Sequence, residues 1–264
     1  MLPLTRSIIS GLSDEALAQK NVNVIDEKLT FPDGIRLMDC PARYDGGVSK
    51  YFQRAEQASN VGREISLQYV HAHIRYLEAM AALGDGEKVY ENLMKIVPVN
   101  IKDTVKNACR RQSNAYFSSS EGNFKDRYEY AEKFELLRTG EMEVKGGWRI
   151  YSSGPGIFLG RLIGNMLGIR EKADRIEIDP VLSKKLDGLN FDYQCFGKNI
   201  RFIYHVKNHM AGVERIECAG KEITFDRLQN PYRQGGAVVR RTEWEDCLEG
   251  ISSEDMKQIH IYLS

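Results

Sequence analysis

The hydrophobic period of the sequence changes near residue 172, and this change restricts the fold more than any other feature. Upstream, apolar side chains recur at spacings of three and four; downstream, they alternate with polar ones. Residues 65–83 place Ile65, Tyr69, Ala72, Tyr76, Met80 and Leu83 on one stripe, which predicts a helix with one buried face. A second helix is expected over 87–96, between the Gly84-Asp85-Gly86 turn and Pro98, and the two would form an antiparallel hairpin. Further helices are predicted over 13–29 with Ser13 as cap, over 128–138, and over 155–167, where Pro155 opens the first turn and Gly168 ends the pattern. Beyond 172, Ile176 and Ile178 mark a strand. Leu189, Phe191, Tyr193 and Cys195, then Ile200, Phe202, Tyr204 and Val206, mark a hairpin turning at Gly197-Lys198-Asn199. A weaker pair is expected around 214–218 and 222–225, and 258–263 reads as a closing strand. The expected class is α+β with two domains, a helical one over 1–172 and an antiparallel β domain over 173–264.

Composition narrows the function classes. With 264 residues, 42% apolar and 28% charged, the chain can bury a sizeable core. Its 37 lysines and arginines balance 37 aspartates and glutamates, so no charge excess favours a nucleic-acid backbone as partner. No apolar run approaches the roughly 18 to 20 residues of a membrane span. The start, MLPLTRSIISG, lacks the pattern of a secretory signal, so a soluble, cytoplasmic protein without membrane or nucleic-acid partners is expected. Cys40, Cys109, Cys195, Cys218 and Cys247 are scattered, without the close pairs of a zinc site or the density of a disulfide scaffold; they read as reduced thiols, and no metal is expected.

Chemistry is concentrated in three segments. In GGWRIYSSGPGIFLGR, 146–161, two serines and a Gly-Pro-Gly turn lead into a helix, whose unpaired N–H groups and dipole suit phosphate or carboxylate. Alone, such a turn is more often a tight helix start than a ligand site. In LQYVHAHIRY, 67–76, His71 and His73 are two residues apart and point to different helix faces, so they cannot chelate one metal. His71 lies near the inward stripe, where a hydrogen-bonded core histidine competes with a donor to an anionic substrate. The third segment, RRQSNAYFSSSEGNFKDRYEY at 110–130, mixes the amides, hydroxyls, aromatics and charges that sugar sites use, and equally suits a solvated loop.

Taken in order, YVHAHIRYLEAMAALGDG, RQSNAYFSSS, GGWRIYSSGPGI, LGIR and RIEIDPVL resemble the C-terminal third of the inverting phosphorylases of glycoside hydrolase family 94. Within it, FPDGIRLMDCPARYDGG at 31–47 and FQRAEQASNVGREI at 52–65 resemble most the members acting on β-1,2-linked oligoglucans. The resemblance implies the C-terminal part of an (α/α)6 barrel over 1–172 and an antiparallel β-sandwich over 173–264. It also implies cleavage of β-glucosides, here β-1,2-glucooligosaccharides, by inorganic phosphate to give α-glucose 1-phosphate, with phosphate as co-substrate and no other cofactor. Phosphate attacks the anomeric carbon with inversion while a carboxylic acid protonates the leaving oxygen.

Residue by residue, His71 matches a phosphate-binding histidine, and Ser152 matches a phosphate-binding threonine while keeping its hydroxyl. Ser153 and Gly154 fall in the family's Gly-Ser-Ala-Gly segment, with different side chains. Gln112 matches a glutamine contacting the donor sugar, although Ser113-Asn114 replaces the usual Pro-Tyr, and Tyr151 matches an aromatic of the phosphate loop. Family members are several hundred residues longer, with the general acid upstream. No motif here matches that acid, and about five helices are predicted where a complete barrel has twelve. The expectation is a truncated or split gene product, inactive alone and paired with an upstream barrel segment or with itself. The competing readings are a noncatalytic carbohydrate-binding or scaffold protein and, more weakly, a hydrolase. Partial barrels leave apolar helix faces bare, so sedimentation of the isolated chain is expected to show dimers or larger species; a single monomeric boundary would contradict this.

Overall fold

The computed structural model describes residues 1–40, 67–111, 116–146, 153–207, 212–248 and 256–263. Its elements begin with α1 (Leu2–Ile9), α2 (Glu15–Val24) with a wider π-helical turn over Ile25–Leu29, β1 (Thr30–Phe31), β2 (Gly34–Ile35), β3 (Gln68–Tyr69), α3 (Val70–Leu83) and α4 (Gly86–Met94). They continue with α5 (Ile101–Thr104), β4 (Ser119–Gly122), α6 (Arg127–Lys133), α7 (Glu135–Thr139), β5 (Val144–Gly146) and α8 (Ser153–Arg161). The β-rich remainder is β6 (Ile169–Glu171), β7 (Arg175–Ile178), β8 (Asn190–Cys195), β9 (Lys198–Val206), β10 (Val213–Cys218), β11 (Lys221–Glu222), β12 (Asp226–Arg227), β13 (Ala237–Arg240), α9 (Arg241–Cys247) and β14 (Lys257–Leu263). Contacts divide the chain into two compact units, 1–79 with 91–158, and 80–90 with 159–264. Among the described residues no helix is long and apolar enough to cross a membrane.

In the first unit, α2 is capped by Asp14 rather than the expected Ser13. Asp14 accepts the Leu17 N–H at 2.8 Å, while Ser13 is buried. A carboxylate one residue later reaches the same orphan donor and adds a charge that the helix dipole favours. The helix expected over 65–83 starts only at Val70, because Gln68 and Tyr69 pair with Ser120 and Ser119 in a three-stranded sheet ordered β3-β4-β5. Its middle strand, β4, falls in the 110–130 segment, which equally suited a solvated loop. Nearby, Phe31 meets Phe134 edge-on at 5.7 Å, Phe134 meets Tyr130 at 5.4 Å and Tyr130 meets Phe124 at 5.1 Å, giving the unit an aromatic core.

In the second unit a five-stranded sheet, ordered β11-β10-β14-β9-β8, and a four-stranded sheet, ordered β12-β13-β7-β6, carry the period-two segments. On β9, Ile200, Phe202, Tyr204 and Val206 are buried while their neighbours are partly exposed, as the alternation requires. The expected closing strand, β14, runs parallel to β9 and antiparallel to β10. The β8–β9 turn sits one residue earlier than expected: Phe196 and Gly197 are both at positive φ, the signature of a type I′ turn, and Cys195 faces Lys198. Glu171 receives the Phe196 N–H at 2.8 Å and Arg241 covers its ring at 4.7 Å, contacts that offset the strain at a bulky residue. The helix α9 carries Trp244, fully buried and stacked on Phe202 at 6.2 Å.

A buried ion network ties this unit together. Arg233 grips Asp179 with two bonds of 2.8 and 3.0 Å and donates to the Ala81 carbonyl at 3.3 Å; Asn230 serves Ala82 at 3.0 Å. The last carbonyls of α3 are thereby satisfied by side chains. Arg170 closes the set on Glu177 and Asp179 at 3.1 and 3.3 Å. Removing one partner of such a buried pair strands a charge. Arg233→Ala is expected to lower the free energy of unfolding by about 3 kcal/mol in urea melts at pH 7.

Candidate functional site

Helix geometry and one buried imidazole set the site. Residues two apart on α3 differ by about 200° around its axis, so His71 and His73 cannot share an environment. His73 is fully buried. Its Nδ1 accepts the Ile35 N–H at 3.0 Å and its Nε2 pairs with the Asn92 carbonyl at 2.8 Å, which requires the Nε2–H tautomer. Burial pushes its pKa down to about 4, overriding the opposing pull of the Asn92 carbonyl. Gly34, at φ 129°, belongs to a conformation that side chains avoid, and a Cβ there would sit 3.0 Å from both Gln68 and the His73 ring. The core histidine of this helix is therefore His73, where the sequence pattern had left that role open for His71.

His71, in the first turn of α3, is half-buried and lies nearly parallel to the Tyr69 ring at 5.8 Å. Burial first, then the guanidinium groups of Arg75 and Arg6, hold its pKa below the usual histidine range. Arg75 is itself paired to Glu78 at 2.6 Å. The result at neutral pH is an uncharged imidazole in a positive field, able to donate one N–H to an anion.

The first turn of α8 approaches a second tyrosine, Tyr116. Gly154 is buried, and a Cβ on it would lie 2.6 Å from the Tyr116 hydroxyl. Burial, and next the Tyr69 phenol, push Tyr116 well above the usual tyrosine range. The Gly154-Pro155-Gly156 segment, expected as a turn leading into a helix, is itself the start of α8, and Tyr69 and Tyr116 link His71 to it within one unit. Ser153 is the first residue of α8. Ser152, Tyr151 and Gln112 lie outside the described residues.

A buried polar group beside this site escaped the sequence analysis. Asp33 and Arg36 form an ion pair at 2.8 Å with side chains 2% and 1% exposed. Asp33 also acts on Arg111 and Lys95, whose pKa values are lowered by burial, that of Arg111 to about 10. Arg111 donates to Ser120 at 3.1 Å and lies over the Phe117 ring at 4.1 Å, yet its Nε and Nη1 have no partner among the described residues. Both polar atoms of the fully buried Gln68 amide are equally without a described partner. Buried donors and acceptors in this condition suit a ligand bearing hydroxyl or anionic oxygens. No pattern of residue types exposes them: Arg111 stands beside Gln112 and Gln68 beside Tyr69, and burial is invisible to spacing. Among the described residues no group of three or more histidine, cysteine or carboxylate side chains could hold a metal ion.

Residues 168–262, within the mixed α+β second unit, match the family described as the glycoside phosphorylase C-terminal domain. The chain is homologous to one such enzyme over more than this segment. It is 56% identical over 239 residues to a protein of Listeria innocua serovar 6a named 1,2-beta-oligoglucan phosphorylase, a match covering 90% of this chain and 22% of that protein.

The buried imidazole gives the site a pH signature. His73 is neutral when folded and takes a proton near 6.5 when unfolded, so its contribution is complete above pH 6.5 and is lost as pH falls towards 4. Unfolding free energy is expected to drop by about 2 kcal/mol from pH 7 to pH 5. Urea melts of His73→Gln across this range should show a shallower slope.

Proposed function

We propose that the chain supplies the phosphate-holding and donor-sugar-holding half of an inverting glycoside phosphorylase site that cleaves β-glucosides, β-1,2-glucooligosaccharides above all, to α-glucose 1-phosphate. The observation that carries the reading is His71, an uncharged donor flanked by Arg6 and Arg75 and linked through Tyr69 and Tyr116 to Gly154 in the first turn of α8. Dianionic phosphate beside an oxocarbenium-like centre needs donors and positive charge arranged in advance. His71, the hydroxyls of Ser152 and Ser153 and the backbone at Gly154 hold phosphate; Gln112 and Tyr151 hold the sugar. The buried polar groups of Arg111 and Gln68 suit the same oxygen-rich ligands. The helical segments correspond to the later part of an (α/α)6 barrel and the strands beyond to a β-sandwich. A carboxylic acid from an upstream barrel segment protonates the leaving oxygen, so the chain alone is inactive; its partner in the cytoplasm is that segment or, without completing the site, a second copy.

Support comes from the identity to the Listeria protein, of which this chain spans 22%. The decisive experiment replaces the matched region of that protein with this chain. The chimera is expected to release α-glucose 1-phosphate from β-1,2-glucooligosaccharides only when phosphate is present, and the isolated chain to release none. His71→Ala in the chimera should lower kcat/KM for phosphate by about 100-fold. A folded chimera that binds the oligosaccharide without turnover would favour a noncatalytic carbohydrate-binding protein. Free glucose released without phosphate would indicate hydrolysis.

A further inference from the structure

The second unit holds a pair of thiols that the proposed reaction does not use. Cys218 ends β10 and Cys247 ends α9, 29 residues apart in sequence, and both are free. The Cys218 thiol reaches the Cys247 carbonyl at 3.3 Å, and the Cys247 thiol donates to the Trp244 carbonyl at 3.0 Å. Once Cys218 has lost its proton its sulfur can accept from the Cys247 thiol, and this contact foremost, then the Lys257 ammonium, draws the Cys218 thiol down to about 7 against the effect of burial, while the Cys247 thiol is raised. One proton is thus lost readily from the pair as a whole. Trp244, buried against Phe202, anchors α9, and Lys257 donates to the Leu248 carbonyl just beyond it, so the end of α9 that brings the Cys247 carbonyl to the Cys218 thiol is fixed on both sides of Cys247. Cys218 is buried and Cys247 half-buried, which gives a small oxidant one reachable sulfur with a partner behind it.

We propose that Cys218 and Cys247 are a reversible redox site, closing to an intramolecular disulfide by exchange with a small-molecule disulfide such as oxidised glutathione. The pair first loses its proton from Cys218; Cys247, the more exposed of the two, then passes its own proton to the Cys218 thiolate and attacks one sulfur of the oxidant, whose S–S bond breaks to release one thiolate. Cys218, deprotonated in turn, attacks the Cys247 sulfur of the mixed disulfide, forming the internal S–S bond and expelling the second thiolate. The two protons lost by the protein convert the leaving thiolates to thiols, so two electrons pass from the dithiol to the oxidant. The bond staples the end of α9 to the end of β10, between β11 and β14 of the five-stranded sheet.

The test treats the full chain with oxidised glutathione, quenches with acid and N-ethylmaleimide, and maps the peptides without reductant. The expected result is a peptide joining Cys218 to Cys247, with loss of both alkylation sites and their return after dithiothreitol. Cys218→Ser should instead trap glutathione on Cys247. Alkylation of both residues in the treated wild-type chain, or glutathione on each without the joined peptide, would overturn the proposal. The wild-type map decides the matter even if the variant does not fold.

Discussion

One hydrogen-bonded imidazole organises the first unit. His73 joins three segments distant in sequence: the end of the β1–β2 hairpin through Ile35, its own helix α3, and α4 through Asn92. Because both ring nitrogens are engaged, the ring has one tautomer and one orientation, and with it α3 has one rotation about its axis. Everything on the opposite face follows from that rotation. His71 must then lie on the partly exposed side, where Arg6, Arg75 and Tyr69 surround it. A hydrophobic side chain at 73 could fill the volume but could not answer the Ile35 N–H and the Asn92 carbonyl, and two unsatisfied buried groups would result. Gly34 completes the arrangement by leaving room for the ring.

How much of this can be read from residue order depends on which force shapes each element. Strands β8, β9 and β14 were legible because one face of each is buried and the pattern of period two records it. That β14 lies parallel to β9 was not, since pairing direction leaves no mark on alternation. Strand β4, Ser-Ser-Glu-Gly, was missed because it is polar throughout and held by backbone pairing between β3 and β5. Helix α9 was missed because a single side chain, Trp244, anchors it. At the site, segment motifs pointed to His71 and the glycine turn. They were silent on Arg111 and Gln68, whose interest lies wholly in being buried and short of partners.

Two ionic clusters among the described residues show why that distinction bears on function. In the second unit Asp179 and Glu177 face Arg233, Arg170 and Arg175, and each guanidinium makes at least two polar contacts within the set or with backbone carbonyls. Such a closed network explains itself: its charges compensate each other and terminate α3, and no ligand is needed to account for it. In the first unit the arithmetic differs. Asp33 pairs directly with Arg36, yet Arg111 and Lys95 also fall within its field, and burial depresses both cations.

Depressed cations are informative because desolvation without full compensation is unfavourable, and folding retains it only where the arrangement does something else. An incoming ligand with anionic or hydroxyl oxygens would relieve this cost by taking up the Nε and Nη1 donors of Arg111 and the amide of Gln68, which have no partner among the described residues. Its binding would therefore restore the arginine towards its ordinary basicity, and its affinity would draw on desolvation already completed during folding. A neutral hydrophobic ligand would leave the same donors unanswered. The chemistry of the buried group therefore selects the class of ligand, oxygen-rich and able to accept several hydrogen bonds, independently of any resemblance in sequence.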